Sequence, residues 1–314
     1  MDIKVNIVHI EADKNSKLVM QKLMSFFLSI LSIFFIFNCS IAQAQTEYII
    51  GLTAQGIRGA SVEEIELGFN YQLQNIGKDK DYLMKIKVFP TKERLIDLLM
   101  QRKLTGYFGA PKIFFENKKD FNYDLLYSPV LSGKVLQRYV LLVRKDSGID
   151  SLEKLKNTGL SYCEVDEIGM LYLQKLLKDK KMGEVDGFFS KLVIKKNPNL
   201  DIAAVFFKET KASLVLESDF EVASELNPQL KQQLVALETS PEYITNLFAI
   251  LNNLAGPMST AELEINILSL ANSIQNKKMM KSYNYGAMRK IKLDDLNSVR
   301  DLINSLSENK GKSK

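Results

Sequence analysis

From Glu47 onward the chain alternates short β-rich runs with amphipathic helical stretches, and that alternation excludes most architectures. "EYIIGLTA" predicts a strand, and "SVEEIELGFNYQLQNIG" a helix with Ser61 as N-cap, Glu64 completing a capping box and Gly77 at its end. "YLMKIKVF" predicts a second strand, "TKERLIDLLMQRKL" a helix capped by Thr91, and "TGYFGAP" a strand stopped by Gly109 and Pro111. Strand, helix, strand, helix, strand is the order of βαβ units on a mostly parallel sheet covered by helices, and ligands of such sheets bind beyond the carboxyl ends of the strands. Two loops then face one crevice, "TAQGIRG" from Thr53 to Gly59 and "GAPK" from Gly109 to Lys112.

The theme repeats. "YVLLV" predicts a strand, "RKDSGID" a turn, "SLEKLK" a short helix capped by Asp150 with Glu153 at its third position, and "GLSYCEV" another strand. "EIGMLYLQKLLKDK" is a helix, "FFSKLVIKK" a strand, and "IAAVFFKETKASLVLES" a helical run feeding a strand. The remainder, "QLVALETSPEYITNLFAILNNL" and "TAELEINILSLANSIQ", predicts a strand followed by helices, with Pro241 and Pro257 marking their starts. Lacking a sheet of its own, this last part returns to the first lobe. The expected organisation is residues 1–44 as an extension and signal peptide, 45–138 with 238–305 as lobe 1, 139–237 as lobe 2 with hinge strands at its borders, and 306–314 as a disordered basic tail.

Near the start, Lys17 and Lys22 precede the apolar "FFLSILSIFFIF" and then "NCSIAQAQ", the layout of a secretory signal with an A-x-A site at Ala42-Gln43-Ala44. Cleavage after Ala44 is expected, since the apolar run from Leu23 to Phe37 is shorter than the roughly 20 residues that span a bilayer. Retention as an anchor, lipidation at Cys39, and starts at Met20 or Met24 are the alternatives. Cleavage would remove Cys39 and the only histidine, His9, leaving the single thiol Cys163 and no internal disulfide.

Without histidine there is no Ser/His/Asp or Cys/His arrangement and no His metal ligand, so catalytic and metal roles are unexpected and no cofactor is implied. Cys163 lies in an apolar run with no base to activate it and reads as a buried structural thiol. The formal charge of +5 arises from 42 basic and 37 acidic residues, a slight surplus that argues against nucleic acid as a partner.

"YFGAP", the run from Tyr139 to Asn157 ("YVLLVRKDSGIDSLEKLKN"), "ELNPQLKQQLVALETSP" and "LDDLNSVRDLINSL" occur in an order that resembles the phosphate/phosphonate-type periplasmic solute-binding proteins of ABC importers. The resemblance implies a two-lobe α/β fold of the Venus-flytrap type that closes on a small-molecule ligand, with a membrane permease as partner. It equally fits a ligand-sensing protein that signals to a membrane kinase or cyclase. In phosphonate-binding members an S-T-S-G turn at a helix N-terminus holds the anion with hydroxyls and backbone N–H groups. The matching positions here are Asp166, Glu167, Ile168 and Gly169, which keep only the glycine.

A carboxylate in the anion's place repels a second anion by roughly 1 to 4 kcal/mol per unit charge at about 4 Å, so the pocket is expected to have turned away from phosphonates. Two readings of the acids stand. Asp166 caps the helix while Glu167 complements its dipole, or both select a cationic or zwitterionic ligand. The other candidate ligand-binding residues are Thr53, Gln55, Arg58, Gly109, Ala110 and Tyr139. Tyr107 and Tyr162 either line the cleft or belong to the core.

Overall fold

The computed structural model describes residues 46–53, 61–76, 80–119, 123–251, 256–272 and 285–307. The expectations for residues 1–44, for Gln55 and Arg58, and for residues 308–314 of the basic tail fall outside them, whereas Leu306 and Ser307, expected in that tail, close the last helix. Two sheets carry the fold. The first contains β1 (Thr46–Thr53), β2 (Tyr82–Phe89), β3 (Gly106–Gly109), β4 (Tyr123–Leu131), β10 (Leu247–Leu251) and β11 (Tyr285–Lys290), in the spatial order β11-β4-β10-β3-β1-β2. The second contains β5 (Tyr139–Arg144), β6 (Gly159–Cys163), β7 (Lys191–Lys195), β8 (Ala212–Leu216) and β9 (Leu234–Thr239), in the order β7-β6-β8-β5-β9.

Both sheets are mixed but run mainly in one direction. In the first, β10 lies antiparallel between β3 and β4 while β1 pairs in parallel with β2 and β3. In the second, β5 is the strand opposed to its neighbours β8 and β9. The flanking helices are α1 (Val62–Ile76), α2 (Lys92–Met100), α3 (Pro111–Asn117), α4 (Glu167–Asp179), α5 (Val185–Phe188), α6 (Pro198–Phe206), α7 (Glu217–Leu226), α8 (Pro228–Gln233), α9 (Thr260–Asn272) and α10 (Asn297–Ser307).

The helix starts follow their sequence signals. Ser61 and Glu64 form the reciprocal capping box, with Glu64 N–H donating to Ser61 Oγ at 3.1 Å and Ser61 N–H to the Glu64 carboxylate at 2.9 Å. Thr91 Oγ1 accepts from Arg94 N–H at 3.3 Å and opens α2. At "SLEKLK", by contrast, the residue before the short 3₁₀ turn Leu152–Leu155 is Ser151, not Asp150. Asp150 instead accepts a 2.8 Å ion pair from Lys154 one turn away, which competes with a capping geometry.

Period-two burial organises the second sheet. Along β5, Tyr139, Leu141 and Val143 enter one core with Ile168, Tyr172 and Leu173 of α4, while Val140 and Leu142 enter another with Ile202 and Val205 of α6. The first of these cores is continuous with the apolar face of the first sheet, through Leu95 and Leu99 of α2, Tyr107 of β3 and Phe114 of α3. The opposite face of the first sheet packs Tyr48, Ile50 and Met84 against Ile65 and Leu73 of α1 and Leu263 of α9. Helix α10 packs on both α3 and α4, burying Val299 and Leu302 in the shared core.

Two segments cross between the sheets, one from β4 to β5 and one from β9 to β10, and they lie side by side. Gln137 and Tyr243 exchange both backbone hydrogen bonds at 2.8 Å. Buried Gln137 also donates from Nε2 to the carbonyls of Leu131 and Lys134 and accepts from Ser218 Oγ at 2.9 Å. Ser240 Oγ accepts from Tyr139 N–H at 2.8 Å, tying the returning crossing to the first residue of β5. The two crossings thus form a short hydrogen-bonded pair of chains at the place where hinge strands were expected.

The stretch after Pro241, expected to be helical, is instead β10 in the middle of the first sheet. All five of its residues are buried, because both of its faces are covered.

Candidate site at the strand ends

Three helices begin immediately beyond strand carboxyl ends and converge. Helix α2 follows β2 and starts at Lys92; α3 follows β3 and carries Lys112 in its first turn; α4 follows β6 and starts at Glu167. The chain folds this way locally because Thr91 caps α2 and Pro111, whose fixed φ suits a first helical position, opens α3 after Ala110. Gly109 and Ala110 thus serve to launch the helix that carries Lys112. Thr53 ends β1 and is buried.

Glu167 belongs to the second sheet's layer and meets two cations of the first. Its Oε1 lies 3.5 Å from Lys92 Nζ and 3.7 Å from Lys112 Nζ. Lys112 is shared, since its ammonium also contacts Glu116 Oε1 at 2.5 Å one turn along α3. Exposure of these side chains is intermediate, 30% for Glu167, 39% for Lys92 and 20% for Lys112, so the ion pairs are only partly screened by solvent.

Asp166 sits behind them and is fully buried, at 0% exposure. Its backbone stands at the N-cap, accepting from Met170 N–H at 3.0 Å, but its side chain makes no cap hydrogen bond. The reason is conformational. Thr91, which does cap, has the extended ψ of 154°, whereas Asp166 has ψ 46°, which turns its carboxylate away from the N–H groups of the first turn. Its Oδ1 lies instead 3.5 Å from the Tyr139 hydroxyl, which is the donor. The capping reading of Asp166 is corrected accordingly. Glu167, at the positive end of α4, does complement the dipole.

Tyr139 and Gly169 are tightly fitted. Tyr139 is 1% exposed, and a Cβ on Gly169 would lie 2.6 Å from two of its ring carbons. The glycine of this turn is thus required by the ring that packs on it. Ile168 is buried beside them. On the other side of the cleft, burial pushes the Tyr107 hydroxyl well above the ordinary tyrosine range, with smaller contributions of the same sign from Tyr123 and Glu167, so it stays a neutral group there. Tyr162 is half-buried and Cys163 fully buried, the latter as expected for a structural thiol. Among the described residues, no group of three His, Cys, Asp or Glu side chains is placed to hold a metal ion.

Sequence reasoning named Glu167 and placed Lys112 in a loop facing the crevice, but it named neither Lys92 nor the pairing. A lysine in the first turn of a helix opposes the helix dipole, and two such lysines, each just past a strand's carboxyl end, were the available signal. Ammonium groups from one sheet's layer thus face a carboxylate from the other.

Residues 74–296 match the family model described as ABC transporter, phosphonate, periplasmic substrate-binding protein. No curated protein matches the chain by sequence. A binding protein component of an ABC phosphonate transporter from Pseudomonas aeruginosa is similar in structure, with a TM-score of 0.59, 17% identity, and 82% of this chain and 86% of that one covered. A Prochlorococcus marinus protein solved in complex with methylphosphonate gives a TM-score of 0.61 at 17% identity, over 83% of this chain and 98% of that one. A Xanthomonas citri protein solved bound to ATP gives 0.60 at 11% identity, over 86% of this chain and all of that one, 100%. At these identities the structural likeness is one of fold.

Proposed function

The chain belongs to the family of periplasmic substrate-binding proteins of phosphonate ABC transporters, and from that membership we propose that it carries a small zwitterionic solute, rather than a phosphonate, to a membrane permease. The observation that supports this reading is the Glu167 carboxylate at the start of α4, facing Lys92 and Lys112 at 3.5 and 3.7 Å.

A phosphonate entering at the α4 N-terminus would have to displace a carboxylate already held there, against a repulsion of roughly 1 to 4 kcal/mol per unit charge at about 4 Å. A simple cation would meet Lys92 and Lys112. A solute bearing both an acid and an ammonium group, such as an amino acid, fits between them: its acid replaces Glu167 on the lysines, and its ammonium takes Glu167. One ion pair type is then exchanged for two, with no charge left unpaired.

Binding and lobe closure, not turnover, is the mode of action, as in the rest of the family. The location follows from the same membership, with export through the segment ahead of Gln45 and cleavage after Ala44. No described helix is long and apolar enough to cross a membrane. Asp166, buried behind Glu167, backs the proposed site, while Gln55 and Arg58 lie outside the described residues.

A thermal-unfolding panel of amino acids, simple amines, phosphate and phosphonates tests the ligand class. A solute at 100 times its dissociation constant adds about 2.7 kcal/mol of stability, a midpoint rise of several degrees in a chain of this size. The rise is expected with zwitterions. A rise confined to phosphonates or phosphate would refute the reading.

A further inference from the structure

Closure of a two-lobe binding protein ordinarily depends on a ligand that contacts both lobes, because only differential affinity can shift the equilibrium between open and closed forms. Here the contact across the cleft is supplied by the chain. Glu167 projects from α4, on the second sheet, and its two partners project from α2 and α3, on the first. The three charges sit at the start of their helices, where each backbone is fixed by the strand before it, so the carboxylate and the two ammonium groups can meet only when the lobes are together.

We infer that Glu167, Lys92 and Lys112 form a built-in latch, in which the protein's own carboxylate takes the place of a ligand's acid group and holds the lobes closed without ligand. The charge arrangement around it agrees with this. On the first sheet's side, Lys112 is also held by Glu116, which fixes its position but leaves Lys92 facing Glu167. On the second sheet's side, Glu167 presents the outward carboxylate, since that of Asp166 is buried against Tyr139. Helix α10, which packs on both α3 and α4, brings the bases of the latch helices together through Val299 and Leu302, so the latch needs to supply only the last increment of closure. A ligand then binds by displacing Glu167 from the lysines, and the latch stands or falls independently of which class of ligand does so.

The test reads lobe separation directly, by small-angle X-ray scattering of the protein with no added solute. Three proteins are compared: the wild type, Glu167→Gln, and the Lys92→Gln/Lys112→Gln double variant. Partly exposed ion pairs of this kind shift an equilibrium modestly, so loss of both contacts is expected to change the closed-to-open ratio by about two- to thirtyfold. The wild type should scatter as the compact form, and both variants should show a larger radius of gyration with unchanged circular dichroism. Wild-type protein in 1 M salt, where the Debye length falls to about 3 Å, should move toward the variants. The second variant guards against a folding defect, because it opens the latch from the other lobe. An unchanged radius in either folded variant, or in high salt, overturns the proposal.

Discussion

Gly106→Ala is expected to destabilise the protein by about 4 kcal/mol, the largest effect of any single methyl group in the first sheet. The added Cβ would lie 2.3 Å from the carbonyl oxygen of Ala249 and 3.1 Å from Cα of Ile250, both backbone atoms of the adjoining strand. A side chain could rotate away, but β10 cannot, because it is hydrogen-bonded to β3 on one side and β4 on the other. The sheet must therefore splay where the returning chain is inserted, beneath the strand end that launches α3 and Lys112. Gly109→Ala is the control within the same strand. Its Cβ would find its nearest neighbour, Ile113 Cδ1, at an ordinary 3.7 Å, so a change within about 1 kcal/mol is expected. Chemical denaturation of the two variants measures the difference. Equal losses would show that close approach of β10 is not what requires the glycine.

Gly169→Ala separates packing from ligand recognition at the one residue that matches the anion-binding turn implied by the resemblance. In a helix interior the replacement would ordinarily stabilise by about 1 kcal/mol. Here the methyl would press to 2.6 Å from the Tyr139 ring, which is enclosed at 1% exposure, and overpacking of this kind costs roughly 1–3 kcal/mol. A net loss of about 1 kcal/mol is expected. Trimming the ring in a Gly169→Ala/Tyr139→Leu double variant should cost less than the two single changes together, by about 1 kcal/mol or more of coupling. A gain in stability from Gly169→Ala alone would mean that the ring does not dictate the glycine.

The legible and the hidden parts of this fold differ in physical origin. Ser61 with Glu64, and Thr91 ahead of α2, are local signals, satisfied within four residues, and the structure follows them. The alternation of Tyr139 to Val143 between two cores is concealed in a run that reads as uniformly apolar, since both faces of the strand are covered. The same concealment misdirects the reading of β10. Ile244, Leu247, Phe248 and Leu251 fall at helical spacing, and only insertion between β3 and β4 decides for a strand. Strands β4 and β11 gave no distinct sequence reading either, as their pairing partners are remote in the chain.

At the site, the position of the acids beyond a strand end was readable, and their division of labour was not. Which acid is buried depends on the ψ of 46° at Asp166 and on the ring of Tyr139, 27 residues earlier. That Glu167 has two lysine partners depends on how the second sheet's layer meets the first. The lysines carried a local clue, each being a cation in the first turn of its helix, where the dipole disfavours it by about 0.3–1 kcal/mol at exposed positions. Glu167 offsets that penalty from across the cleft.

The central proposal is that the protein's own carboxylate, held by Lys92 and Lys112, excludes an anion from the start of α4. Calorimetric titration of an alkylphosphonate into the wild type and into Glu167→Ser tests it most directly. The account expects no saturable heat with the wild type, and saturable binding to emerge in Glu167→Ser, where Lys92 and Lys112 are released and a hydroxyl is restored to the turn. Micromolar or tighter binding to the wild type, a free energy of about −8 kcal/mol or better, would contradict it.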